Sequence, residues 1–252
     1  MSADSEDRFA RMVRELKGRP LPRRFYKAAA VAGDAAPYAV TLDGRAVKTP
    51  LRRSLAMPYR ALAEAVAAEW QCQIEVIDPA RMPLTRLANT ALDRVAGEEA
   101  RIVAEIVDYA GSDLVCYRAE GPQALVAREA AHWDPVVVWA GAHLAQPFVA
   151  VTGVVHHPQP VPTLAALAGL VERLDAFALT AVHNLASLTG SALLAMAIAA
   201  EELSPDAAWT AAHVDEDWQI EHWGADEDAR RRRLARRAEF DAAVALLALA
   251  RL

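Results

Sequence analysis

The chain has 252 residues, a net charge of −6 and 54% hydrophobic residues. That length suffices for one large domain or two modest ones with a substantial core, and the mild acidity argues against a general attraction to nucleic acid or anionic membrane. Its two cysteines, Cys72 and Cys116, form no C-x-x-C pair, which excludes a zinc knuckle, a redox dithiol and a disulfide framework and fits a reducing compartment.

The opening residues, MSADSEDRFARMVRELKGRP, read as a short helix or an arm ending at Gly18 and Pro20. They lack the apolar core of a secretory signal and the acid-poor character of a transit peptide, which predicts a cytoplasmic protein. RFYKAAAV and YAVTLDGRAVKTP are extended segments, and Asp43-Gly44 is the dipeptide of a tight hairpin, whose two central residues need positive φ. A small antiparallel β unit is therefore expected over about residues 23–56. Pro58 suits the first turn of a helix in which Leu62, Val66 and Trp70 oppose Glu64 and Glu69, and that helix should close one face of the sheet. IDPARMP reads as a linker and sets the boundary between an N-terminal β-rich domain, 20–78, and a helical domain, 79–252.

From Leu84 the segments LTRLANTALDRV, GEEARIVAEIVDYAG and PQALVAREAAHWDPVVVWAGAHL carry apolar residues at helical spacing, with Pro135 expected to kink or restart the third. QPFVAVTGVVHHPQPVP is β or irregular, and helices resume near Pro162. AFALTAVHNLASLTGSALLAMAIAA, between Asp175 and Glu201, has no formal charge and is long enough to span a bilayer. Its polar residues near the middle and the lack of an aromatic belt or basic flank point instead to one buried central helix of a soluble bundle, without stable membrane insertion. Ser204-Pro205 starts a further helix expected to run to Trp223, with Gly224 as its stop. The fold class is α+β: a small N-terminal antiparallel β unit with a helix, followed by a larger all-α domain.

The chemical motifs come out negative. The chain carries no G-x-G-x-x-G, no G-x-x-x-x-G-K-[ST] and no G-x-S-x-G, which removes the common nucleotide and hydrolase classes, and no cofactor is expected. His156-His157 lie among turn residues and read as plain loop histidines rather than metal ligands. His213 and His222 fall on opposite sides of a helix and cannot share an ion, although His213 is placed to reach Asp217 at i+4. His132 is read as bonding locally, and His183 as a core histidine. The run Arg230–Arg233 with Arg236 and Arg237 follows seven acids between Asp215 and Asp228, so helical ion pairs are expected to absorb much of its charge.

The stretch Asp215–Gly224 behaves differently. Taking Val214 as 0° and a step of about 100° per residue, Trp218 falls near 40°, Gln219 near 140°, Trp223 near 180°, Glu216 near 200° and Ile220 near 240°. Val214 and Trp218 form one apolar stripe, while Trp223 and Ile220 form another beside Glu216 and Gln219. A surface helix buries one stripe, so the helix is either enclosed by neighbours or meets a partner with its second face.

Seven blocks, in this order, resemble the family of ATP synthase assembly chaperones that bind the α subunit of the F1 catalytic head: RFYK, LDGRAVKTP, LAEAVAAEWQ, IDPARMPLTRLANTALD, HWDPVVVW, LTGSALLA and DEDWQIEHWG. They cover about residues 23–226; the arginine run and the tail beyond Asp228 match no block. The resemblance implies a small α/β unit before an all-helical domain, no catalysis, and a monomer that shields the β-binding surface of new α subunit until β displaces it. It is to bacterial members, and it implies Trp70, Glu216, Gln219 and Trp223, with the neighbouring Asp215, as partner-binding residues. Trp70 serves equally as an inter-domain core residue. The alternative function is a helical-domain enzyme with a cleft site near His183 or His213, and a lesser one is a nucleic-acid adaptor acting through Arg230–Arg237.

Overall fold

The computed structural model describes residues 20–250, so the expectation for the opening segment lies outside the described residues. The N-terminal sheet is built around β2 (Tyr38–Leu42). Strand β1 (Ala29–Ala32) pairs antiparallel along its length, while β3 (Arg45–Ala46) and β4 (Ala56–Met57) pair with its two ends. At the predicted hairpin Asp43 and Gly44 have φ of 47° and 79°, as a two-residue turn requires. The Asp43 carboxylate also accepts the backbone N–H groups of Lys27 and Ala28, which hold its pKa down and tie the turn to the approach of β1.

Helix α1 (Arg60–Gln71) lies on this sheet with Leu62, Ala63, Val66 and Ala67 buried against it. Leu62 and Val66 belong to the stripe expected from the sequence, Ala63 and Ala67 widen it, and Trp70 is only partly buried, while Pro58 precedes the N-cap Tyr59 instead of entering the first turn. The chain then crosses a 3₁₀ turn, Pro79–Arg81, into the helices: α2 (Pro83–Thr90), continued as a π-turn over Ala91–Val95, and α3 (Glu99–Gly111). After a second 3₁₀ turn, Leu114–Cys116, strand β5 (Tyr117–Arg118) pairs in parallel with β6 (Val151–Thr152), across the long α4 (Gln123–Leu144).

Pro135 neither ends nor restarts α4, whose 22 residues form one helix. Proline removes the N–H that would meet the Ala131 carbonyl. Ala131 and Pro135 both face solvent, where water can serve that carbonyl, while Glu129, Trp133, Val136 and Ala140 hold the opposite stripe in the core.

The uncharged run also departs from expectation. It forms two helices, α6 (Ala176–Thr189) and α7 (Ala192–Ala199), preceded by α5 (Val161–Val171). Gly190 turns left-handed at φ 70°, and the Ser191 hydroxyl accepts the Leu194 N–H, so this pair makes a stop and a start inside the run. Both helices are buried, as predicted: every residue of α7 from Ala192 to Ile198 is sealed. Among the described residues no helix is long and apolar enough to cross a membrane.

The next helix is likewise two. Ser204 caps α8 (Pro205–Ala212) through the Ala207 N–H, but the helix stops at His213, and α9 (Val214–Trp223) starts anew before the predicted stop at Gly224. Asp226 caps α10 (Glu227–Leu249), which packs Phe240, Ala242, Ala243, Leu246 and Leu247 onto α6 and α2. The architecture is the expected α+β arrangement of a small antiparallel sheet before a helical bundle.

Candidate binding groove

Helix α9 is held to the bundle by its two flanks. Val214 is buried, Asp217 pairs with Arg233 of α10, and Glu221 takes both oxygens to Arg128 Nη1 of α4 at 2.8 and 2.7 Å. The predicted His213–Asp217 contact is absent because Asp217 is drawn to that guanidinium. His213 is instead buried with Nδ1 on the Trp209 carbonyl (2.7 Å), and burial lowers its pKa; its Nε2 has only Glu216, 3.8 Å away, among the described residues.

The remaining arc of α9 faces a groove of about 650 Å³. Trp218, Asp215, Gln219 and Trp223 line it from one side; Tyr117 to Pro122, Leu125 and Glu129, with Gly153 and Val154, line it from the other. The arc runs from about 40° to about 180° on the helical wheel, centred near Asp215. The two faces separated on the sequence therefore merge: Trp218 and Trp223 both line one groove from the α9 side, rather than forming a packing stripe and a binding stripe. Trp223 is 77% exposed and Val154 96% exposed, so the rim is apolar and open to solvent. Trp218 stacks on His222 with ring centroids 4.2 Å apart.

Of the five residues singled out from the sequence, Asp215, Gln219 and Trp223 meet here. Glu216 does not line the groove; it points towards His213 on the neighbouring face, half-exposed. Trp70 is elsewhere, at the end of α1, where it lines a separate groove of about 560 Å³ with Phe25, Tyr26, Asp43, Arg45 and Lys48. Its carbonyl accepts the Tyr26 hydroxyl at 2.6 Å, while its own indole N–H is enclosed without a partner among the described residues.

Two groove residues escaped sequence reading. Glu129 is 1% exposed, in line with Trp133, Val136 and Ala140 on the buried face of α4. A carboxylate on a core stripe was the available signal, hidden by the charged residues around it. Burial raises its pKa, and the hydrogen bond and charge of Asp215 push the same way, against the Ala119 N–H (2.8 Å) and Arg118. Arg118 follows from no motif. It lies over the Trp133 ring at 5.0 Å, gives Nη2 to Asp134 at 2.6 Å, and has Nη1 enclosed without a partner among the described residues.

The other candidates stand apart. His183 is not a core histidine: it sits 2.9 Å from Glu105 in an open groove with Asp108, Tyr109 and Ser112, because α6 presents that turn to α3 at the surface. His156 and His157 are exposed loop residues contacting the Tyr117 hydroxyl. No group of acids, cysteines and histidines able to hold a metal ion occurs among the described residues. Four arginines of the run pair with carboxylates: Arg230 with Glu227, Arg231 with Asp228, Arg233 with Asp217, and Arg237 with both Asp206 and Asp241; Arg236 donates to the Leu188 carbonyl.

A family model described as ATP12 chaperone protein matches residues 23–141. Among solved structures, Atp12 from Paracoccus denitrificans is 39% identical, with a TM-score of 0.86 over 91% of this chain and 98% of its own. A single-residue mutant of P. denitrificans Atp12p matches over the same shares at 38% identity, also with a TM-score of 0.86. A protein of Agrobacterium tumefaciens, described as a putative chaperone, is 43% identical, with a TM-score of 0.87 over 92% of this chain and 87% of its own.

Proposed function

This chain belongs to the ATP12 chaperone family, and on that premise we propose that it holds newly made α subunit of the F1 sector of ATP synthase. The observation that carries the reading is the groove beside α9, an apolar rim over an acidic floor that no other described element covers. An exposed tryptophan beside buried polar groups has the composition of a binding hot spot. The mechanism is occlusion. The rim covers apolar surface that α would otherwise present to other chains, the carboxylates orient it, and the β subunit displaces the chaperone by competing for that surface. No bond is made or broken, and the protein acts as a cytoplasmic monomer without cofactor.

Asp215, Gln219 and Trp223 supply the central contacts, with Glu216 at the flank. Trp70 belongs to a second contact region on the sheet unit, or holds that unit through Tyr26. The test is binding of purified α subunit to wild type and to Trp223→Ala, together with light scattering of α alone and with chaperone. Truncating the exposed indole should weaken binding by about 2 kcal/mol, roughly thirtyfold, and leave folding intact. Unchanged aggregation of α in the presence of the wild-type chain would reject the reading.

A further inference from the structure

A short ribbon ties the segment before β1 to the segment after α1. Arg23 bridges Val76 in antiparallel register, with the Arg24 N–H on the Glu75 carbonyl at 2.9 Å and the Ile77 N–H on that of Pro22 at 2.8 Å. Arg24 also gives its guanidinium to main-chain carbonyls, Nε to Tyr26 at 3.0 Å and Nη2 to Lys27 at 2.8 Å, and Tyr26 is buried. The backbone is thus held firmly, yet Phe25 and Ile74 are 74% and 75% exposed, and Leu21 and Val76 on the same two segments are exposed as well. Single apolar residues are ordinary on a surface; four on so short a ribbon form a patch that marks a contact.

The charges around the patch are positive. Arg23 stands in the bridge itself, and Arg45 and Lys48 share with Phe25 the groove beside Trp70. None of these three side chains forms an ion pair among the described residues. Lys27 lies near Asp43, but both oxygens of that carboxylate already accept main-chain N–H groups. Glu75 is the only acid within the two segments 21–27 and 74–77. Residues 20–78 carry more basic than acidic side chains, in a chain of net charge −6, so the sheet unit is the positive end of an otherwise acidic protein.

We propose that this ribbon is a peripheral docking surface for anionic lipid. Phe25 and Ile74 enter the headgroup boundary, and Arg23, Lys27, Arg45 and Lys48 meet the lipid phosphates. Charge complementarity selects this occupant: the cations have no carboxylate to spend themselves on, and lysine is depleted from protein interfaces but favoured at anionic bilayers. A bilayer also receives protruding apolar side chains without a pocket of matching shape. Each cation at such a surface strengthens partitioning by about fivefold. Contact of this kind is shallow and reversible, and because the chain as a whole is acidic the attraction is local and screened by salt. The groove beside α9 shares no lining residue with the groove that Phe25 edges, so a chain resting on lipid keeps the former open.

The test uses the full chain, floated with vesicles of phosphatidylcholine alone and of an equal mixture of phosphatidylcholine and phosphatidylglycerol. Wild type should partition to the mixture at least about tenfold more strongly, and less so as salt is raised. Phe25→Ser with Ile74→Ser should weaken that partitioning by about tenfold, and Arg23→Gln with Lys48→Gln by about twenty-five-fold. Arg230→Gln with Arg232→Gln removes the same charge from α10 and should leave it unchanged. In an Ile74→Trp chain the mixed vesicles should shift indole emission to the blue beyond any shift in wild type, and brominated lipid should quench it. No binding to the mixture, equal binding to both vesicles, or ribbon variants that bind like wild type overturn the proposal. So does an α10 pair that loses as much as the ribbon pair, since net charge alone would then govern. Loss of α-subunit binding in Phe25→Ser with Ile74→Ser, with no vesicle binding by wild type, would make the ribbon a protein interface and overturn it too. The chaperone reading stands or falls separately, on α binding by wild type and Trp223→Ala.

Discussion

Asp113 shows how one side chain can make stability depend on pH. Its carboxyl is fully buried at the start of α7, with N–H groups of Val115 (3.2 Å) and Leu193 (3.0 Å) and the Ser191 side chain on it. Burial outweighs these donors and raises its pKa from 3.8 to about 6. Below the lower value the group is protonated in both folded and unfolded chains and changes nothing. As pH climbs between the two, the folded state holds the proton more tightly and loses stability, by up to about 3 kcal/mol in all. Urea midpoints measured from pH 4 to 7 should show this loss in wild type, and Asp113→Asn should remove it. Cys116, three residues on, is buried with its thiol pushed up to about 12, by burial and then by Asp113, whereas Cys72 is exposed. A thiol reagent at pH 8 should therefore modify one cysteine per native chain and two after denaturation. The residues that the sequence could not supply were those defined by what encloses them. Asp215, Gln219 and Trp223 were legible because acids and tryptophans stood together on one short helix. Glu129 was not, because its meaning comes from Asp215, distant in sequence. Trp218 was assigned to packing because a helical wheel knows directions but not how far a groove wraps.

Among the elements, those with a visible periodicity or turn were legible. Asp43-Gly44 placed the hairpin, and the stripe of α1 placed its sheet face. The breaks at Gly190 and His213 were hidden for different reasons. Helices α6 and α7 are buried on nearly all sides, so no change of apolar face marks where one ends. At His213 no glycine or proline announces the stop; the ring bonds back to the Trp209 carbonyl instead. Element junctions also carry stability. Helix α2 begins without a capping side chain of its own, and Glu69 of α1 supplies the missing acceptor. It takes the N–H groups of Leu84 and Thr85 and the Thr85 hydroxyl, at 2.7 to 2.8 Å. A carboxylate there satisfies orphan donors and complements the helix dipole. Glu69→Ala should cost about 2 kcal/mol in chemical denaturation, and Glu69→Gln should recover part of it.

At the scale of the whole molecule, the sheet unit joins the helices through polar ties as well as apolar packing. Asp93, in the π-turn after α2, takes the Thr49 hydroxyl at 2.7 Å and the Leu51 N–H at 2.9 Å. The Tyr59 hydroxyl reaches Asp175 at 2.7 Å, while the other oxygen of that carboxylate caps α6. Asp93→Ala should therefore lower hydrogen-exchange protection across β2 to β4 and leave the amides of α6 unchanged. A uniform loss would mean that sheet and bundle open as one unit. Arginines of α10 draw the bundle together in a similar way, to Asp206 of α8, Asp217 of α9 and the Leu188 carbonyl of α6. The position of α10 so late in the chain also shapes how the protein is made. The most apolar segment leaves the ribosome well before residues 227–249, which cover it in the finished fold. Until they arrive, the nascent protein presents the same hazard of uncovered greasy surface that it is proposed to remove from another chain, so its own synthesis passes through a stage that calls for protection.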